Sequence, residues 1–199
     1  MRVGYDLDGV GYIFGQSCRM YLGTVGVDVP VMTDDKCIDW DFYKAWGMTR
    51  EEFNRHVDAG VDAGIIFGDH EGLTRENFFA AVEFTKSLGH ENIIVTHRHQ
   101  GSPGMAERNT FLWLGPVLKY IDEVHFAEDK TSVPTDTFVE DNLKNYDMLV
   151  AAGTKAFLIN RPWNLVPGGD ARNRINDVSD YAQAIEDITY QGFADLTLA

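Results

Sequence analysis

Tyr5-Asp6-Leu7-Asp8-Gly9-Val10 closes a short apolar run that begins at Val3. The run reads as a buried strand feeding a sharp turn. Two carboxylates one residue apart then stand at the strand's C-terminal end, where open α/β sheets place their ligands. Gly9 accepts backbone angles that a side chain forbids, so the chain can turn away and leave both acids uncovered. Two anions this close repel unless a cation or a shared proton offsets the charge. The stretch therefore supports two readings. One is a Mg²⁺ site in which one Asp attacks and the other moves protons. The other is a solvated Asp-Gly turn after a strand.

The rest of the chain bounds these readings. Its 199 residues suit one domain, or one domain carrying a modest insertion, with 44% apolar and 24% charged residues as in ordinary globular proteins. A net charge of −14 argues against binding a nucleic-acid polymer, which needs clustered Lys and Arg. A single nucleotide is not excluded, since it needs only a local site. Cys18 and Cys37 fit no zinc spacing and are too few for a disulfide scaffold, so both are expected to be small buried residues in a reduced, cytoplasmic setting. No apolar run approaches the roughly 20 residues of a membrane span, and no signal-peptide pattern is present.

The spacing of Phe14, Cys18, Tyr21 and Leu22 predicts a short helix, followed by a loop over 23–35. Thr49-Arg50-Glu51-Glu52 is a capping box, so a helix is expected from about 50 to 61. Thr74 repeats the N-cap signal ahead of an apolar stripe that stops at Gly89. Residues 15–75 are thus expected to form a small helical cap. The main domain is then made of residues 1–14 and 76–199. From residue 91 the rhythm changes to strands at 92–96, 124–126, 137–139 and 155–159, with helices between most of them and a closing helix from 177 to 191. One helix is expected from 105 to 120, although Pro116 interrupts it. Alternation of this kind predicts an α/β fold with a Rossmann-like parallel sheet flanked by helices.

Polar residues stand at four strand ends: Asp6 and Asp8, then Thr96, then Lys130 just past the third strand, then Glu140-Asp141. A parallel sheet brings these ends to one edge. The set suits phosphoryl transfer. Mg²⁺ takes hard oxygen ligands, an Asp can act as nucleophile, and a hydroxyl and an ammonium can hold phosphate oxygens.

With these four segments in order, the chain resembles the haloacid-dehalogenase-like (HAD) phosphohydrolase superfamily. The resemblance implies Asp6 as nucleophile and metal ligand. It implies Asp8 as acid/base, with its backbone carbonyl on the metal. Thr96 and Lys130 would hold the phosphoryl group, and Asp141 would be the third metal-binding acid. Glu140 departs from the commoner Asp-Asp pair, which leaves open whether Glu140 or Asp141 touches Mg²⁺ directly. Asp8 also separates phosphatases from dehalogenases, which do not need that acid/base. Within the superfamily, the chain is similar to 5'(3')-deoxyribonucleotidases: Asp-x-Asp-Gly-Val with Phe14 eight residues past Asp6, the helical cap, and Asn160-Arg161-Pro162-Trp163-Asn164 with Arg174-Ile175-Asn176.

That resemblance implies a nucleoside monophosphate as substrate, with Phe14 facing the base. Trp40 is a further candidate to stack on it. His97, Arg98 and His99 follow Thr96 directly, where a loop contacting phosphate or sugar would lie, or else they are exposed loop polarity. A homodimer is compatible with it. Aromatics at the spacing of Trp40, Phe42, Tyr43 and Trp46 also suit the packed core of a cap. The alternatives are a phosphatase or phosphomutase for sugar phosphates, and a non-catalytic nucleotide-binding module on the same fold.

Overall fold

A computed structural model describes residues 1–31 and 39–197, with side chains described through residue 192. Cys37 lies outside the described residues; Cys18 is buried and free. Six strands form one parallel sheet: β1 (Arg2–Tyr5), β2 (Glu91–Thr96), β3 (Glu123–Phe126), β4 (Thr137–Glu140), β5 (Lys155–Ile159) and β6 (Arg174–Ile175). Their spatial order is β3-β2-β1-β4-β5-β6, with every pairing parallel. The order reverses direction at β1, so the crevice at the end of β1 is the switch point of the sheet. This is the expected Rossmann-like α/β fold.

Parallel strands need both faces covered, and the core is built accordingly. Ile93, Val95, Phe138 and Leu158 pack with Tyr146 and Leu149 of α5 (Leu143–Ala151). Tyr5, Ile94, Val139 and Phe157 pack with Phe78 of α3 (Phe78–Ser87) and Tyr181 of α6 (Val178–Thr197). The alternation of neighbouring residues between these two clusters is the period-2 signature of a strand.

The segment after β1 contains α1 (Phe14–Thr24) and α2 (Arg50–Asp62). The capping box of α2 forms as expected: Glu52 N donates to Thr49 Oγ1, and Thr49 N donates to Glu52. A 3-10 turn at Phe42–Trp46 packs on α2, with Tyr43 stacked on Phe53 at 4.9 Å and Phe42 edge-on to Phe53 at 5.4 Å. These two rings, with Trp46, therefore build the inside of this segment, while Trp40 stays exposed. The chain leaves and re-enters side by side, with Ile13 N donating to Leu73 O and Arg75 N to Gly11 O. The end of α2 is fastened to the loop after β2: Asp58 accepts from Gly101 N, and Asp62 from Ser102 N and Oγ.

Three local expectations give way to tertiary structure. Thr74 is no N-cap; it pairs with Tyr12 and accepts from Trp113 Nε1, and α3 starts after Asn77 in a left-handed conformation. The helix expected over 105–120 is split. α4 (Met105–Leu114) ends before Gly115-Pro116, and a 3-10 stretch continues to Tyr120, because Pro lacks the N–H that an α-helix would use. β6, at two residues, is too short to show periodicity and is set by its partner β5.

Candidate active site

Asp6 follows directly on β1, whose neighbours are β2 and β4. Its amide donates to Val139 O, which fixes the turn against β4. Its Oδ1 accepts from Leu7 N, and its Oδ2 lies 2.7 Å from Lys130 Nζ. Lys130 sits in a 3-10 turn between β3 and β4, and the same Nζ lies 2.7 Å from Glu140 Oε2. Glu140 ends β4, and Asp141 follows it. Asp6, Glu140 and Asp141 present carboxylate oxygens within 4.8 Å of one another, all buried. Three separated segments thus converge at the switch point.

The acids in this cluster have different duties. Glu140 uses Oε1 to accept from the amides of Asp141 and Asn142, and Oε2 to accept from Lys130. It is committed to holding the turn and the ammonium. Asp141 accepts at Oδ2 from Trp163 Nε1 over 2.9 Å, and no bond to its Oδ1 engages it among the described residues. Of the two, Asp141 is the one that could offer an oxygen to a metal ion. Asn142 caps α5, accepting from Lys144 N and Asn145 N.

The electrostatics call for a cation. Three carboxylates face one ammonium, two negative charges in excess when all are ionised. Burial first, then Glu140 and Asp6, pushes the Asp141 carboxyl well above its ordinary range. Asp6 is pushed up to about 8 by burial, with Lys130 opposing and Glu140 and Asp8 adding to the rise. A bound divalent cation reverses this cost. Hard oxygen donors of this number suit Mg²⁺. Thr96, at the end of β2, carries a fully buried Oγ1 with no hydrogen-bond partner among the described residues. A buried hydroxyl left unpaired is costly, and an incoming anion would satisfy it.

Gly9 has φ +78, and a Cβ added there would collide with the Asp141 carboxylate. Both observations require glycine. Arg161 Nε donates to Gly9 O over 2.6 Å, and Asn164 Nδ2 donates to Asp141 O and Ile159 O. The Asn160–Asn164 run is thus a clamp on both acid-bearing turns.

Above this floor lies a cleft of about 890 Å³, within the usual range for small-molecule sites. Phe14, Trp40, Phe42 and Phe53 line its upper wall; Asp6, Asp8, Lys130 and Asp141 line its floor. Phe14 stacks on Phe67 at 5.8 Å, and exposed Trp40 meets Trp163 edge-on at 6.5 Å. His97 lines the cleft, stacked on His99 at 4.4 Å; although it is exposed, partial desolvation and then the neighbouring His99 lower its pKa.

Arg98 corrects its expectation. It does not face the cleft: its side chain is buried and its guanidinium is turned onto Asp8, Nε to Oδ2 at 3.0 Å and Nη2 to Oδ1 at 2.8 Å. Asp8's carboxylate consequently stands apart from the Asp6–Glu140–Asp141 group. Trp163's donation to Asp141 is a contact that the sequence reading does not contain.

No family model matches the sequence, and no curated protein matches it either. Solved structures do. A phosphatase by prediction from Clostridium acetobutylicum superposes with TM-score 0.60 at 13% identity, over 94% of this chain and 98% of that one. YfnB of Bacillus subtilis, assigned as a HAD-hydrolase and solved bound to magnesium, gives 0.58 at 13%, over 92% and 97%. A protein assigned as a beta-phosphoglucomutase from Thermotoga maritima gives 0.57 at 15%, over 94% and 99%. The chain carries the Rossmann-like α/β fold of the HAD-superfamily hydrolases.

Proposed function

We propose that this chain is a Mg²⁺-dependent phosphomonoesterase that works through an aspartyl-phosphate. One observation carries the reading: Lys130 Nζ lies 2.7 Å from both Asp6 and Glu140, and Asp141 closes the acid cluster around the same point. Asp6 and Asp141 would hold the metal, with the backbone carbonyl of Asp8. When bound, the metal supplies charge neutralisation and orientation of the phosphoryl group.

Asp6 attacks phosphorus with the carboxylate oxygen not held by Leu7 N. Lys130 balances charge on Asp6 and the transferring oxygens. Thr96 Oγ1 donates to one of those oxygens. Asp8, on the cleft side of the turn, protonates the departing oxygen. It then takes a proton from the water that cleaves the Asp6 ester. A module that only binds has no use for this separate acid/base.

Residues 15–75 act as the cap in this reading, roofing the site. The aromatic wall of Phe14 and Trp40 favours a substrate with a planar group, and nucleoside monophosphates of the 5'(3')-deoxyribonucleotidase type fit best. The second reading is a sugar-phosphate phosphatase or mutase, favoured by the likeness to the Thermotoga maritima protein. A panel of nucleoside monophosphates and sugar phosphates, compared by kcat/KM with Mg²⁺ and with chelator, separates them. Metal-dependent release from nucleotides at least tenfold above sugar phosphates is expected. No Mg²⁺-dependent release from any ester refutes the enzyme reading. Asp6→Asn should abolish turnover and keep phosphate-analogue binding.

A further inference from the structure

A buried guanidinium is costly unless its charge and donors are matched. Arg98 is matched on every side. Its Nε and Nη2 form a fork on Asp8, and Nη1 donates to Thr110 Oγ1 at 3.0 Å. The rings of Tyr12, Phe67 and Trp113 lie 4.6, 4.4 and 5.4 Å from its Cζ. These partners come from the turn after β1, the cap segment and α4. Phe67 adopts φ +64, a conformation unusual for a bulky residue, and such strain persists only where packing over-determines it. Its ring also stacks with Phe14 in the cleft. Little of Arg98 is left for a substrate to touch.

Asp8 is different. Its side chain is 31% exposed, against 8% for Asp6. Without the fork, its carboxylate would be free to rotate in the open cleft. Proton transfer needs the donor oxygen within hydrogen-bond reach of the leaving oxygen. A planar bidentate fork fixes the plane of a carboxylate; a lysine ammonium, as a point charge, does not.

We propose that Arg98 is the positioning residue of the acid/base step, fixing the plane of the Asp8 carboxylate toward the leaving oxygen. The proposal rests on the phosphomonoesterase reading, in which Asp8 carries the proton. It assigns the cage of Tyr12, Phe67, Thr110 and Trp113 the task of holding that fork.

The test is a double-mutant cycle of wild type, Asp8→Asn, Arg98→Lys and the double variant, on two substrates. One is a nucleoside monophosphate with a poor leaving group. The other is an aryl phosphate whose leaving group needs no proton. Arg98→Lys should lower kcat/KM roughly tenfold or more on the first and less than about threefold on the second. Affinity for inorganic phosphate should stay within about twofold, and in the Asp8→Asn background the change should add almost nothing. A loss seen mainly in phosphate affinity makes Arg98 a substrate ligand and overturns the proposal. Equal losses on both substrates, or additive losses in the cycle, make it a packing residue and overturn it too. If circular dichroism shows that Arg98→Lys is unfolded, Thr110→Val decides: a loss confined to the poor leaving group supports the fork, and an equal or absent loss refutes it. A wild-type chain inactive on both substrates fails before any variant is made, and so refutes the reading beneath the proposal.

Discussion

Trp163 donates its indole N–H to Asp141 Oδ2 at 2.9 Å, and its ring edge meets Trp40 across the cleft. One side chain therefore links an acid of the buried carboxylate cluster to the exposed ring of Trp40. The donor restrains the rotamer of Asp141 through Oδ2. Outer partners of this kind govern metal affinity as strongly as many direct ligands do. Trp163→Phe keeps the ring and removes the donor. Mg²⁺ affinity by isothermal titration should fall roughly 10-fold or more. Unchanged affinity would show that Asp141 is held by packing alone.

The charge excess of the cluster makes a linked prediction about pH. Asp141 and Asp6 both have carboxyls raised in the folded state, by burial foremost. A raised folded-state pKa means that the metal-free fold keeps protons that the unfolded chain has already released. Stability from these groups is present below the ordinary carboxylate range and is lost as pH rises toward about 8. Mg²⁺ needs the ionised acids, so its stabilisation runs the other way. The Tm gain from saturating Mg²⁺ should be larger at about pH 8 than at about pH 5.5. Asp141→Asn should raise the metal-free Tm at about pH 8 and abolish the Mg²⁺ response. A response that survives in this variant would move the metal elsewhere.

Lys130 is the countercharge without which two buried carboxylates stand alone. Removing one partner of a buried ion pair costs about 3–5 kcal/mol, because the other charge is left uncompensated. Lys130→Met should show that loss in urea unfolding without metal. The double variant with Glu140→Gln should recover at least about 1 kcal/mol of it, and both variants should be inactive. Lys130→Met within about 1 kcal/mol of wild type would mean that the buried acids are protonated and need no countercharge.

How far the sequence reached follows from how local each signal is. The Thr49–Glu52 capping box and the Asp-Gly turn at Gly9 lie within a few residues of their effect, and each forms as read. Thr74 carries a good local N-cap pattern, but its hydroxyl is taken by Trp113, 39 positions away. Arg98 fails as a cleft residue for the same reason. Its neighbours His97 and His99 are exposed, and nothing nearby in sequence says that the residue between them is buried. Its cage is assembled from residues 12, 67, 110 and 113, visible only after folding. Trp163 lay within a noticed run, yet its donation to Asp141 depends on how the clamp loop folds back.

Trp40 tests the substrate class most directly, because it lines the cleft while 56% exposed and contributes little to the packing of the segment after β1. Phe14 is less informative, since it stacks on Phe67 and meets Phe42 and Phe53 edge-on, so its loss would disturb packing as well. Trp40→Ala should leave Tm within about 2 °C of wild type, as expected for an exposed position. Stacking on an aromatic ring contributes roughly 1–3 kcal/mol per base, so KM for a nucleoside monophosphate should rise about 5-fold or more. KM for a sugar phosphate, which has no planar face to stack, should move far less. An equal rise for both substrates would remove base stacking from the account and favour the sugar-phosphate reading. An unchanged KM for both would place the ligand deeper in the cleft, away from Trp40.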